Sequence, residues 1–498
     1  MRLDVGQHLP ALQVVIPLLG AVLAAFLRRG SLAWALAAVV TWTTPVVAGA
    51  LLWQVLQTGP ISYHLGGWPP PWGIEYRVDV LSAFVLLLVS GVSAAMMPFA
   101  RRSVAYEIEG DKQAWFYCMY LLCLTGLLGI TITGDAFNAF VFLEISSLST
   151  YVLIAMGRDR RALLAAYQYL IMGTIGATFY VIGVGLLYLV TGSLNMVDIV
   201  SRLGPASVDQ LRPIVVALAF LTVGISLKLA LFPLHAWLPN AYAYAPSFAT
   251  AFLAATATKV AVYLFVRVFF SIFGVAVSLE ALRVCDVLLV LSLAAMFIAS
   301  ILAVYEQNLK RMLAYSSVAQ IGYITFGISL ANQTGLTGGI AHLFNHAVMK
   351  AALFLALGAV VYRAGTVKLA ELGGIGRTMP LTCAAFVVAG LGIIGTPGTA
   401  GFVSKWYLAL GALDRGQWPL VFLLVASSLI ALVYVGRVVE VAYFRPTSEA
   451  AAKASDPPLN MLLPILGLAA ATIYFGIFTE LSAGVASRAA QVLVGGLK

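Results

Sequence analysis

Of 498 residues, 61% are hydrophobic and only 10% are charged, which is too little polar surface to cover a water-soluble globule of this size. The formal net charge of +9 would suit an acidic partner if the basic residues were clustered. They are not, so composition places the chain in a bilayer and excludes a soluble enzyme and a nucleic-acid-binding domain.

Crossing about 30 Å of hydrocarbon takes an apolar helix of about 20 residues. Stretches of that kind predict fourteen spans, near residues 10–27, 32–56, 79–99, 114–133, 136–156, 163–191, 213–231, 248–273, 284–305, 310–330, 335–362, 381–395 continuing as 400–412, 418–443 and 460–478. Strand-like alternation is absent, so the expected class is an all-α polytopic membrane protein and not a barrel. The first span lacks an A-x-A cleavage site and reads as a retained helix. Fifteen of the 29 basic residues fall in the loops after the odd-numbered spans other than the seventh, from Arg28 to Lys453. The tails and alternate loops hold eight, among them Arg2, Arg283 and Lys498. By the positive-inside rule both termini lie outside.

In chain order, the first unusual feature is Glu144, the only acidic residue well inside a span, in "AFNAFVFLEISSLSTYVLIAMG". A buried carboxylate stays ionised only beside a cation, and Lys228 is the natural candidate. Asp135, at the turn into the same span, reads equally as a helix cap. Lys228 lies in "GISLKLALFPLHAWLPNAYAYAP", where Pro233, His235 and Pro239 interrupt an apolar helix. Lys259 follows about eleven apolar or small residues in the next span, and Arg267 lies toward its end with a structural role expected.

Further on, His342, His346 and Lys350 recur every four residues in "GGIAHLFNHAVMKAALFLALG", which puts all three on one helix face with Asn345 beside them. That pattern suits a proton relay. A metal is not expected there, because the helix offers neither a third ligand nor a general-base glutamate. Gly395, Pro397, Gly398 and Gly401 then interrupt the twelfth span just before Lys405. Arg437, toward the end of span 13, reads as structural. Cys118, Cys123, Cys285 and Cys383 lack metal-ligand spacing and read as buried small hydrophobes.

A break inside the membrane is tolerated only in a protein interior or along a water-filled cavity. Two breaks in corresponding places predict inverted repeats. Residues 114–273 (spans 4–8) would form the first five-helix unit and 284–443 (spans 9–13) the second. Residues 1–113 would carry spans 1–3, and residues 444–498 a loop and span 14. Because each unit has an odd number of helices, its successor starts from the other side, and polar groups meet at mid-depth.

The motifs "GGWPPPWGIEYRVDVLSAF", Glu144, "KLALFPLHAWLPNAYAYAP", "NLKRMLAYSSVAQIGY", "HLFNHAVMKAALFL" and "GTPGTAGFVSKW" stand in this order over about residues 60–445. Together they resemble the antiporter-like membrane subunits shared by Mrp-type multisubunit sodium/proton antiporters, respiratory complex I and membrane-bound hydrogenases. The resemblance implies a hydrated polar axis in which Glu144 and Lys228 form a paired switch. Lys259 would be the connecting lysine, His342, His346 and Lys350 the relay, and Lys405 the terminal residue, a lysine that resembles both the Mrp D-type subunit and the quinone-proximal complex I type, the chain looking closest to the D-type. It further implies an ion-translocating subunit of a multisubunit monovalent cation (Na+)/proton antiporter in a prokaryotic inner membrane, partnered by other integral membrane subunits and carrying no cofactor. The alternative is a proton-pumping subunit of a redox-driven complex. On either reading no chemical reaction occurs on this chain.

Overall fold

A computed structural model describes residues 5–203, 211–274 and 284–495. Arg2, Arg283 and Lys498, counted in the charge distribution, lie outside the described residues. The chain is 82% helical. After a short turn it runs through α1 (Leu9–Ala25), α2 (Gly30–Thr58), the strands β1 (Ile61–His64) and β2 (Glu75–Val78), α3 (Val80–Glu107), α4 (Gln113–Ile132), α5 (Ala136–Ala155) and α6 (Arg161–Thr191). It continues through α7 (Met196–Leu203), α8 (Leu211–Leu229), α9 (Leu238–Tyr244), α10 (Ser247–Val266), α11 (Val284–Ala294), α12 (Ser300–Tyr305), α13 (Leu309–Ser329) and α14 (Gln333–Ala364). The last elements are α15 (Ile375–Thr378), α16 (Pro380–Ile394), α17 (Ala400–Asp414), α18 (Trp418–Val439), α19 (Glu449–Ala452), α20 (Leu459–Ile477) and α21 (Val485–Gly495).

Helix occupies each of the fourteen predicted stretches. Among the described residues, twelve helices are long and apolar enough to cross a membrane. The tenth stretch, α13, falls outside that set because polar residues run through it, and the twelfth because its break leaves two fifteen-residue pieces, α16 and α17. One short piece of sheet was not anticipated. The segment before α3 folds as an antiparallel hairpin with Ile61 opposite Val78 and His64 opposite Glu75. The buried Glu75 carboxylate holds it down, accepting hydrogen bonds from Ser62 (2.5 Å) and from Asn195 before α7 (2.7 Å).

Position in the bundle follows from polarity. In α10 and α14, 94% of the membrane-length window is buried, against 28% for α18. These are the helices that carry Lys259 and the His342–His346–Lys350 face. A mid-span face of lysine and histidine is costly against lipid, so these two helices take the interior and other helices shield them. Without a hydrophobic drive between helices in lipid, close approach relies on small residues. At the α6–α8 seam, a side chain added at Gly224 would meet the Gly176 carbonyl at 2.6 Å and the Tyr180 amide at 2.8 Å.

Gly224→Leu should therefore force α6 and α8 apart and lower the thermal midpoint of the purified protein, since overpacking costs about 1–3 kcal/mol. Gly49→Leu, where nothing lies within 4 Å of the added carbon, should leave the midpoint unchanged. Equal midpoints for the two variants in a detergent melting series would contradict the packing described.

Candidate functional site: a chain of buried cations

Both interrupted helices end in the same way. In α8, Ala230 turns left-handed (φ 58°), its amide donates to Leu227 O, and the Leu231 amide donates to Ser226 O. In α16, Gly395 turns left-handed (φ 88°), its amide donates to Gly392 O, and the Thr396 amide donates to Leu391 O. Both are Schellman endings with a proline shortly after, because a proline cannot continue the helix. Pro233 would need its missing N–H to reach Leu229 O, and Leu229 is the last residue of α8. Pro397 and the left-handed Gly398 (φ 83°) complete the second break. Pro239 differs from expectation: it stands in the first turn of α9, where a missing N–H costs nothing, so it restarts the helix and does not interrupt it.

Although the breaks match, the lysines sit on opposite sides of them. Lys405, one turn into α17, reaches back across the gap. Its Nζ donates to the freed carbonyls Ile393 O (3.0 Å) and Ile394 O (2.9 Å) and to Ser428 Oγ (2.9 Å), and lies 4.3 Å from the centre of the Tyr323 ring. A cation at a helix C-terminus also meets the negative end of the helix dipole. Lys228 precedes its break in the last turn of α8. There the Trp237 indole donates a second hydrogen bond to the Leu227 carbonyl (2.9 Å), and Lys228 Nζ donates to Ser147 Oγ of α5 (2.6 Å).

Ser147 follows Glu144 by one turn of α5, so the anticipated Glu144–Lys228 pair meets through neighbouring positions and not by contact. No hydrogen bond or ion pair joins them, and Glu144 Oε1 is buried without a hydrogen-bond partner among the described residues. Beside Lys228, a cavity of about 20 Å³ is bounded by Ser146, Ser147 and Thr150 of α5 and by Ala257, Val260 and Ala261 of α10. That is room for about one water, with polar partners in its wall. Lys259 Nζ, fully buried in α10, donates to the Ala254 carbonyl and to Thr258 Oγ1 (3.4 Å).

On α14 the three predicted residues share a face but not their partners. Lys350 Nζ donates to Leu313 O (2.7 Å) and to Ser316 Oγ, both on α13. His342 is held on both ring nitrogens, Nε2 against Gln320 Oε1 (2.9 Å) and Nδ1 against Ser404 Oγ (2.8 Å). Between them His346, fully buried, has no hydrogen-bond partner on either ring nitrogen among the described residues, and its ring lies parallel to that of His342 at 6.1 Å. Asn345 donates to Ala400 O at the start of α17 (2.7 Å). His235 lies in the first break, stacked on Phe232 at 5.2 Å, and its Nδ1 has no hydrogen-bond partner among the described residues.

The sequence reading missed Gln320 and Ser404, which hold His342, and Tyr323 and Ser428, which meet Lys405. Polar residues inside α13, α17 and α18 were the available signal. It also missed Asp79. Arg267, at the end of α10, is bound to the Asp79 carboxylate, to Ser82 Oγ (2.8 Å) and to Tyr263 Oη (2.9 Å). Arg437 caps α12, donating to Val304 O and to Glu306 O (3.3 Å). Asp135 caps α5, accepting from the Asn138 amide (2.7 Å).

Comparison with known proteins places this geometry. Residues 133–431 match the family described as NADH:quinone oxidoreductase/Mrp antiporter, TM. The N-type subunit of the NADH-quinone oxidoreductase of Desulforudis audaxviator is 41% identical over 95% of this chain and 96% of its own length. The D-type subunit of the Na(+)/H(+) antiporter of Alkalihalophilus pseudofirmus is 30% identical over 95% and 94%. Among solved structures, a chain of the Mrp complex from Dietzia sp. DQ12-45-1b superposes with a TM-score of 0.88, at 28% identity and covering 99% of this chain and 98% of that one.

Arg267→Ala would leave the Asp79 carboxylate buried and unpaired, a loss of about 3–5 kcal/mol for such a pair. The yield of folded protein should drop. The double variant Asp79→Asn/Arg267→Gln should recover much of it, and a double variant no better than Arg267→Ala in the same melting assay would argue against the pairing.

Proposed function

Because the chain belongs to the NADH:quinone oxidoreductase/Mrp antiporter membrane-subunit family, we propose that it moves protons along the row Glu144, Lys228, Lys259, His346, His342 and Lys405, with Lys350 and His235 flanking it. One observation carries the reading. Among the described residues, none of the four lysines on or beside this row, Lys228, Lys259, Lys350 and Lys405, forms an ion pair; each is held by carbonyl and hydroxyl oxygens. A lysine solvated by neutral dipoles can lose its proton without abandoning a counter-charge, so neither protonation state is locked. The Arg267–Asp79 pair is locked, and it stands outside the row.

On this reading residues 114–273 and 284–443 are inverted repeats, and their matching break motifs support it. The chain is a subunit of a multisubunit complex that exchanges a monovalent cation (Na+) for protons, beside other integral membrane subunits, with both termini outside the cell. A second reading, a proton-pumping subunit of a redox-driven complex, is favoured by the 41% identity to an N-type subunit of an NADH-quinone oxidoreductase. The complex in everted vesicles separates the two. Added Na+ should collapse an imposed pH gradient; a gradient that responds only to oxidation of an electron donor would transfer the chain to the redox class.

Glu144→Ala, Lys228→Ala and Lys405→Ala should each reduce transport to background while the complex still assembles, because none of these side chains holds the bundle together. Wild-type proton movement in any of the three would remove that residue from the path.

A further inference from the structure

The proposed row accounts for passage along the membrane but not for every polar group on α10. Lys259, Tyr263, Arg267 and Ser271 follow at four-residue spacing and so share one face. The helix widens to a π turn over Arg267–Ile272, a geometry that recurs at functional sites. Side-chain bonds make the stripe continuous over its last three members: Arg267 Nε donates to Tyr263 Oη (2.9 Å) and Arg267 NH1 to Ser271 Oγ (3.3 Å). Tyr263 Oη also meets Ser82 Oγ (3.0 Å), next to Asp79.

This end of the stripe forms part of the wall of a large cavity bounded by described residues. It measures about 840 Å³, and Arg77, Asp79, Thr133, Tyr263, Arg267 and Ser271 supply its polar wall. That is room for many waters. Tyr263, whose hydroxyl meets Arg267 Nε and Ser82 Oγ, follows Lys259 by one helical turn, about 6 Å of backbone rise along the axis. Tyr263, Val262, Val266 and Leu343 also border a small apolar space of about 10 Å³, too narrow for a file of water. The Lys259 amine points the other way, toward Ala254 and the row.

We propose that this cavity is an aqueous vestibule through which water and protons reach Lys259 from the membrane face carrying the N-terminal ends of α3 and α5. The fixed Arg267–Asp79 pair frames its floor, Tyr263 is the contact residue, and the Lys259 side chain alternates between Ala254 and Tyr263. A long, flexible amine held by neutral acceptors suits that exchange. The proposal rests on Lys259 belonging to the row.

The test uses the assembled complex in right-side-out and everted vesicles. Cys118, Cys123, Cys285 and Cys383 are all buried, which gives a low background for a membrane-impermeant thiol reagent. Ser271→Cys should label from one side of the membrane only, and proton movement by that variant should fall to background on labelling. Absence of labelling from either side, or labelling without loss of transport, would overturn the vestibule. Tyr263→Phe, which keeps the ring but removes the hydroxyl, should slow transport with assembly unchanged; wild-type rates would remove Tyr263 as the contact. Failure of the row itself shows separately, as unimpaired transport in Lys405→Ala.

Discussion

A cation inside a bilayer needs oxygen atoms, and this chain supplies about half of them from its own backbone. Interrupting a helix frees carbonyl groups that would otherwise be spent on intrahelical hydrogen bonds. Lys405 takes two of these at the end of α16, Lys310 takes Ala245 O just past the end of α9, and Arg437 takes those at the end of α12. Unbroken helices contribute more sparingly, Leu313 O to Lys350 and Ala254 O to Lys259. Carbonyl dipoles are fixed by the fold and carry no charge of their own. They hold an ammonium group without demanding that it remain charged.

That constraint sorts the buried charges into two populations. Arg267 faces a carboxylate, so losing either partner strands the other, and the pair belongs to the framework. The four lysines face neutral acceptors, and the proton on each is free to leave. It also accounts for the interior position of α10 and α14, whose lysines meet carbonyls and hydroxyls in place of lipid. Around them, apolar helices such as α18 need only seal the bundle.

Much of this was legible in the sequence because the signals are strong where burial makes polarity costly. Stretches of twenty apolar residues marked the helices, and Pro233, Gly395 and Pro397 marked the breaks within a residue or two. Lys228, Lys259 and Lys405 stood out as charges in apolar surroundings. Partners were less legible, because a hydrogen bond is a fact of tertiary geometry. Ser147 in place of Glu144 beside Lys228, Gln320 and Ser404 around His342, and Asp79 beside Arg267 all lie on other helices. The hairpin before α3 escaped notice because four-residue strands in a Pro- and Trp-rich loop give no period to read. Pro239 misled because proline starts helices as readily as it stops them.

His346 is the sharpest point of the account. A fully buried imidazole with both nitrogens unmatched among the described residues would cost about 1–3 kcal/mol for each unsatisfied group. A proton path requires water there and in the space between Lys228 and α10. The most direct measurement is a structure of the assembled complex at a resolution that shows ordered water. The account predicts water within hydrogen-bonding distance of His346 Nδ1 or Nε2 and a water beside Lys228 Nζ facing Ala257. A dry gap at both positions would contradict a continuous proton path through this chain.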